Sequence, residues 1–580
     1  MIKKLMGCIR ENKKHTILTP LFMVGEVGLE CTLPMITAKL INAIEDGADM
    51  SVILHYGWIL ILMALCSMSC GILSGWFAAS ASAGFARNLR HDLFAKVQSF
   101  SFANIDKFST ASLVTRLTTD VTNVQMAFMM IIRVAVRSPL MLVFAVLMSI
   151  NMGGPIALVF LLVIPILGVG LLVIAKKAMP MFKAVFKKYD KLNNSVQENV
   201  KGMRVVKSFV REDYEKLKFG RASEDVRNDF TRVEKLLAFN NPLMLLAMYI
   251  CMILIPLLSA KTIVGSGGSA MQVGDLASLI TYAMQILMSL MMLSMIFVML
   301  TISAEAARRV VEVLDTEPTL RNPENPVTEV KDGSVAFENV SFKYNPEAQA
   351  YALADVDLHI ASGQTVGILG GTGSSKTTLI QLISRLYDVT EGSVKVGGVD
   401  VWDYDMEALR NQVAVVLQKN VLFSGTIKEN LRWGDPNATD EELVRACKQA
   451  QAHEFITAHP DGYDRFIEQG GANVSGGQKQ RLCIARALLK KPKILILDDT
   501  TSAVDTQTDA LIRRAFREEL PDITKLIIAQ RVASVQDADL ILVMDNGRVV
   551  AQGTHDELLA SNEIYQEVYY SQTKGGEENG

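Results

Sequence analysis

The chain has 580 residues, half of them hydrophobic and 21% charged, with a formal net charge of −3. That length accommodates several domains, and the near-neutral balance, without interleaved basic and aromatic residues, excludes nucleic acid as an expected partner. The average conceals a division, because apolar runs crowd roughly the first 300 residues while the remainder reads as an ordinary α/β sequence.

Residues 1–14 place Ile2, Leu5, Met6 and Ile9 on one helical face and Lys3, Lys4, Arg10, Lys13 and Lys14 elsewhere, the pattern of a helix lying on the inner leaflet. A secretory signal is the competing reading, but no small-residue cleavage site follows the next apolar run. Runs long enough to cross about 30 Å of hydrocarbon, which takes about 20 residues, lie near 16–40, 53–79, 126–150, 155–175, 238–261 and 273–300. Six spans are therefore expected. The short loops 45–52 and 151–154 lack Lys and Arg, whereas the long connections 85–124 and 176–236 are rich in them, so the N-terminus and both connections are expected to be cytoplasmic. Their length and periodicity predict helices prolonged into the cytoplasm.

Glu26 and Glu30 stand one turn apart in the first span, as do Arg133 and Arg137 in the third. Ionisable groups at membrane depth need a partner or a wet cavity. They are read here as lining an inward-open cavity, against the alternative that extended helices carry the arginines out into water. Met284, Met288, Met291, Met292, Met295 and Met299 fill the last span; such side chains suit a surface for varied apolar ligands, though such a stripe more often belongs to ordinary helix packing. The cysteines, Cys8, Cys31, Cys66, Cys70, Cys251, Cys447 and Cys483, show no metal-ligand spacing, which predicts reduced thiols.

Residues 315–330, rich in Pro, Asn and acid, read as a linker between a membrane domain (1–314) and an α/β domain (331–572), and 573–580 as a disordered tail. Within the α/β domain, Val366–Leu369 is a strand followed by Gly370, Gly371, Thr372, Gly373, Ser374, Ser375, Lys376, Thr377, Thr378 and an apolar helix. Small residues there let backbone amides approach phosphates, Lys376 supplies a point charge, and the Thr377 hydroxyl reaches Mg²⁺. Farther on, Ser475, Gly476, Gly477 and Gln478 open a helix whose first amides can hold an anion, with phosphate the expected one. Pro492 ends that helix, and Lys493–Leu497 reads as a strand buried on both faces. Asp498 and Asp499 emerge at its C-terminal edge, where ligands bind in open α/β sheets and hard oxygens suit Mg²⁺ carried on a nucleotide.

These motifs in this order resemble the ABC (ATP-binding cassette) transporters of exporter type, over nearly the whole chain. The resemblance implies an all-α six-helix transmembrane domain with long cytoplasmic extensions, followed by an α/β P-loop nucleotide-binding domain using ATP and Mg²⁺. It implies that Tyr344 stacks on adenine, that Gln418 senses the γ-phosphate and Mg²⁺ beside Thr377 and Asp498, and that Ser475–Gln478 is the signature. The segments 108–121 and 194–212 are similar to the family's intracellular loops, which implies short coupling helices near Ser109–Ser112 and Val210–Tyr214 resting on nucleotide-binding domains. Three positions depart from the family: Ser375 replaces a glycine, Asp499 replaces the glutamate that activates water, and Gln530 replaces the switch histidine. In the family, two nucleotide-binding domains sandwich two ATP molecules between one chain's P-loop and the other's signature. The expectation is a heterodimer in a bacterial cytoplasmic membrane, exporting hydrophobic or amphipathic small molecules of multidrug type. This chain would retain ATP at its degenerate site, and its signature would complete the site of a second half-transporter that has the glutamate and histidine. The alternatives are a homodimeric lipid or peptide exporter with slow ATPase, and an ATP-gated protein that does not pump.

Overall fold

The computed structural model describes residues 1–499 and 505–577. They form two compact units, Met1–Ser99 with Ser109–Thr316, and Phe100–Phe108 with Glu317 onward.

The first unit is helical. Five of its segments are long and apolar enough to cross a membrane: Arg10–Glu45, Met50–Gln98, Thr110–Phe182, Glu212–Ser266 and Val273–Asp315. The third runs through both the third and the fourth expected spans. Its helices Val134–Gly153 and Leu158–Lys201 are separated by a 3₁₀ turn starting at Gly154, whose φ of +49° a side chain would resist. The expected extensions are present: Met50–Gln98 has 49 residues, about 70 Å at 1.5 Å per residue.

Polar groups knit these helices where the backbone is interrupted. Pro34 has no N–H to offer the Glu30 carbonyl in its own helix, Lys13–Glu45. The neighbouring helix Val273–Asp315 supplies donors instead: Gln285 Nε2 reaches the Glu30 carbonyl at 3.4 Å, the Tyr282 hydroxyl the Cys31 carbonyl at 2.7 Å, and the Ser278 hydroxyl the Pro34 carbonyl at 2.6 Å. In hydrocarbon such donors stabilise both the kink and the pairing of the helices.

The second unit contains a six-stranded sheet in the order Arg548–Gly553, Leu540–Asp545, Thr365–Gly370, Thr524–Ile528, Ile494–Asp498, Val413–Val416. All neighbours are parallel except the Arg548–Gly553 edge. Every residue of Ile494–Asp498 is buried, as its uninterrupted apolar run predicts for a strand covered on both faces. A second sheet of Leu353–Ile360, Val335–Phe342, Glu391–Val396 and Val399–Asp400 is antiparallel.

Residues 100–108 join this unit despite their place in the sequence of the first. Ser101 caps the helix Phe102–Lys107 through a reciprocal pair of hydrogen bonds with Asn104. Asn104 Nδ2 donates to the Glu317 carbonyl at 3.1 Å, and the Tyr387 hydroxyl donates to Asp106 at 2.6 Å. The segment expected at Ser109–Ser112 is thus corrected by several residues. Ser109 caps the next helix, Thr110–Thr115, in the first unit; two serine caps lie eight residues apart, and the resemblance selected the second. Val210 lies in a turn between the helices Met203–Ser208 and Glu212–Leu237, at φ +51°, so Val210–Tyr214 is not a separate helix. The final helix, Glu563–Glu577, runs over the start of the segment read as a disordered tail.

Candidate functional site

Parallel register brings the sequence-predicted residues together. Ile528 pairs with Asp498 on one side and Ile368 on the other, and Val416 pairs with Leu497. The C-terminal ends of four strands therefore deliver Gly370, Asp498, Gln530 and Gln418 to one edge of the sheet, where open α/β folds bind ligands. A Cβ at Gly370 would run into the Met544 carbonyl oxygen and the Ser374 hydroxyl, so only glycine lets the loop turn there. Lys376 Nζ donates to the carbonyls of Gly370 and Gly371, both at 2.8 Å, and to the Ser374 hydroxyl at 3.2 Å. Burial lowers the Lys376 pKa, with Asp498 and Asp499 opposing.

The Thr377 hydroxyl donates to Asp498 Oδ2 at 3.0 Å. A hydroxyl and a carboxylate brought together beside the loop are hard oxygen donors of the kind Mg²⁺ takes alongside nucleotide phosphates. Among the described residues no cluster of three or more His, Cys, Asp or Glu side chains could hold a metal by itself. Burial raises the Asp498 pKa, Asp499 adds to the rise, and the Thr377 hydrogen bond opposes it. An acid with a raised folded-state pKa costs nothing below its unfolded value, and stability is lost as pH rises through the folded one. Asp498→Asn is therefore expected to raise the apparent melting temperature of the chain at pH 7, with the difference closing as pH falls towards 4. Scans across that range check this.

Asp499 is held differently. Its backbone N–H donates to the Ile528 carbonyl at 3.0 Å and its φ is +48°, a left-handed conformation that aspartate tolerates better than most residues. Its Oδ2 accepts from two side-chain amides, Gln530 Nε2 at 2.8 Å and Gln418 Nε2 at 3.2 Å. Ser375, the second departure from the family, also lies in the left-handed region at φ +69°, where a glycine avoids a cost of about 1–2 kcal/mol. The Tyr344 ring is half exposed, meets Phe342 and Tyr387 edge-on, and its hydroxyl bonds to Thr378 at 2.9 Å and Gln381 at 3.2 Å. One flat aromatic face is thus fixed beside the loop.

Ser475 caps the helix Gly476–Leu489: its hydroxyl accepts from the Gln478 N–H at 3.3 Å, and Gln478 Oε1 accepts from the Ser475 N–H at 3.1 Å. The cap uses one of the amides expected to hold an anion; those of Gly476 and Gly477 lie in the first turn, where no intrahelical acceptor exists. Among the described residues, Ser475–Gln478 share no hydrogen bond with the loop, with Asp498 or with Asp499. Residues 500–504, which follow the paired acids and resemble the family's D-loop, lie outside the described residues. Sequence reading missed Gln572, whose side chain grips the switch segment twice, donating to the Gln530 carbonyl at 2.9 Å and accepting from the Val532 N–H at 2.9 Å. Only an isolated amide in a polar stretch marks it.

The first unit has its own candidate site, a cavity of about 910 Å³ walled by Glu30, Arg133, Arg137, Met284, Met288, Met292, Met295 and neighbours. Two expectations are corrected. Glu26 is buried behind the wall, and Met291 and Met299 are not part of it. Arg137 bridges both carboxylates, with Nη1 on Glu26 and Nη2 on Glu30 at 2.7 Å. Removing one member of such a cluster leaves uncompensated charge, so Arg137→Ala is expected to destabilise the chain by about 3 kcal/mol. Adding Glu26→Gln and Glu30→Gln should restore most of the loss, and thermal unfolding of the three chains in one detergent measures both.

A nucleotide site at a parallel sheet edge, joined to apolar helices of membrane-spanning length, defines a membrane transporter worked by a P-loop domain. The chain matches the family model for the ABC transporter transmembrane region over residues 16–290 and that for the ABC transporter over 353–502. It is 38% identical over 555 residues, 95% of each chain, to the uncharacterized ABC transporter ATP-binding protein YfiB of Bacillus subtilis (strain 168). It is 33% identical over 482 residues to the fatty acid ABC transporter ATP-binding/permease protein of Mycobacterium bovis (strain ATCC BAA-935 / AF2122/97), covering 82% of this chain and 75% of that one. It also matches the structure of a bacterial Atm1-family ABC exporter with ATP bound, at a TM-score of 0.82 and 25% identity, covering 97% and 98% of the two chains. The chain belongs to the ABC transporters, as an exporter-type half-transporter with one membrane region and one ATP-binding domain.

Proposed function

We propose that this half-transporter works in a heterodimer, holding ATP at its own P-loop with little turnover while its signature completes the hydrolytic site of its partner. The observation that carries the reading is the Asp499 carboxylate, one methylene shorter than glutamate and engaged by Gln530 at 2.8 Å and Gln418 at 3.2 Å. A general base must come within about 2.6–3.2 Å of the proton it takes. A short side chain already tethered on Oδ2 is poorly disposed to reach an attacking water. Gln530 offers an amide where an imidazole would take up a proton.

In this reading Lys376, the loop amides and Thr378 hold the nucleotide, Tyr344 packs on its base, and Thr377, Asp498 and Gln418 supply oxygens to Mg²⁺. The ion neutralises phosphate charge when bound. ATP between closed nucleotide-binding domains favours the state in which they touch, and hydrolysis at the partner's site removes that preference, which switches the membrane region. Thr110–Phe182 crosses the bilayer twice, reversing at Gly154, which gives six crossings and a cytoplasmic N-terminus in a bacterial cytoplasmic membrane. The cargo is a hydrophobic or amphipathic small molecule moved outward; the name of the M. bovis relative supports lipid-like cargo.

Vanadate trapping with photoreactive ATP tests the division of labour. Label trapped on the partner's P-loop, with this chain exchanging ATP but trapping none, is expected. Trapping on this chain, or brisk hydrolysis by this chain alone that Asp499→Asn abolishes, overturns it in favour of a working homodimer.

A further inference from the structure

We propose that Arg133 is the headgroup receptor of the membrane cavity, and that the cargo is a single-chain amphiphile with an oxyanion head, carboxylate or phosphate. The inference rests on the cavity being the cargo site, and deepens that reading.

Both acids of the cluster are committed to one partner: Glu26 and Glu30 bond Arg137. Arg133 lines the same cavity, yet among the described residues its guanidinium makes no hydrogen bond and no ion pair. It stands at a break between the helices Val121–Ile132 and Val134–Gly153, with φ −113° and ψ −68°. A guanidinium at membrane depth with no partner is costly and marks a ligand or ion path.

The helix behind it approaches closely. A Cβ at Gly75 would lie 3.6–3.7 Å from the Arg133 guanidinium, and one at Gly71, a turn earlier on the same helix, 3.2–3.3 Å from the Glu26 carboxylate. Gly71 thus gives the Glu26 carboxylate room, while the Arg133 guanidinium packs at ordinary contact distance over Gly75 of the same helix. A guanidinium with no partner offers a planar fork of donors that matches a carboxylate or phosphate in two-point hydrogen bonding. Met284, Met288, Met292 and Met295 extend along the last span for about 16 Å. That strip of flexible apolar side chains suits an extended alkyl tail better than a compact ring system.

The test uses the full chain in phosphatidylcholine nanodiscs without nucleotide. The probes are radiolabelled palmitate, hexadecyl phosphate, hexadecanol and hexadecyltrimethylammonium, which share a tail and differ in the head. The readout is the ratio of affinities. Palmitate, hexadecyl phosphate or both are expected to bind about tenfold tighter than hexadecanol, a difference of about 1.4 kcal/mol. Arg133→Gln should bring the ratio close to one, and Arg133→Lys should keep most of it. A ratio of one in the unaltered chain, a preference for the cation, or a ratio indifferent to Arg133→Gln overturns the headgroup assignment while leaving the cavity as cargo site. Absence of saturable binding by every probe overturns the cargo site itself. Neither result bears on vanadate trapping, which tests the nucleotide reading separately. If Arg133→Gln fails to fold, the ratio in Arg133→Lys decides: retention supports the assignment, and a ratio of one in that folded chain refutes it.

Discussion

Converting Asp499 to glutamate together with Gln530 to histidine is expected to raise ATP turnover at this chain's own site about a thousandfold, the scale of a correctly placed general base. The measurement is ATPase of the assembled pair with the partner's own P-loop lysine replaced, so that only this chain's loop, closed by the partner's signature, contributes. Each substitution repairs a different fault. Glutamate adds reach beyond the sheet edge where Asp498 pairs with Ile528, and histidine replaces the amide that tethers Asp499 Oδ2 at 2.8 Å. Either change alone should give much less, because a longer acid still bonded to Gln530 is misdirected, and an imidazole beside a short acid has no primed water to serve. The left-handed backbone at residue 499, φ +48°, is less comfortable for glutamate than for aspartate, so the double variant should melt slightly lower. Adding Ser375→Gly should return about 1 kcal/mol by relieving φ +69° without changing the rate. An unchanged rate in a double variant that still binds ATP would show that something other than these two side chains silences the site.

The sheet edge was legible because its elements are local. An apolar run too short for a helix, the small-residue loop before Lys376 and the paired acids after Leu497 each declare themselves within ten residues, and parallel pairing then has one way to bring their ends together. The helix break at Gly154 was legible as a charge-free loop between apolar runs. What stayed hidden depends on separation. Nothing near Asp106 announces Tyr387, 281 positions away, and the resemblance pointed to the neighbouring serine cap instead. Glu26 could be assigned to membrane depth but not to the far side of Arg137, because helical spacing fixes which residues share a face and not which of them a facing arginine covers. Gln572 escaped notice since a side-chain amide that holds a loop by two backbone bonds leaves no pattern in composition.

Gly477→Asp is the complementary experiment, and it should abolish ATP hydrolysis by the assembled pair, roughly a 10³-fold loss, while ATP retention at Lys376 is unaltered. The cap formed by Ser475 and Gln478 consumes the Gln478 amide, so Gly476 and Gly477 carry the remaining donors of the first turn. A carboxylate placed there adds negative charge at a helix start whose free amides favour an anion, and it would also compete for those amides as a local acceptor. Because Ser475–Gln478 share no hydrogen bond with Lys376, Thr377 or Asp498 of the same chain, the damage should fall on the site of the other subunit. Lys376→Ala is the internal contrast: it should empty this chain's own P-loop and slow the pair by far less than Gly477→Asp does. The order of those two losses reports which chain's signature serves which nucleotide. Were Lys376→Ala the more damaging, the hydrolysed ATP would be the one at this chain's own loop, and Asp499, short and tethered as it is, would have to be the working base.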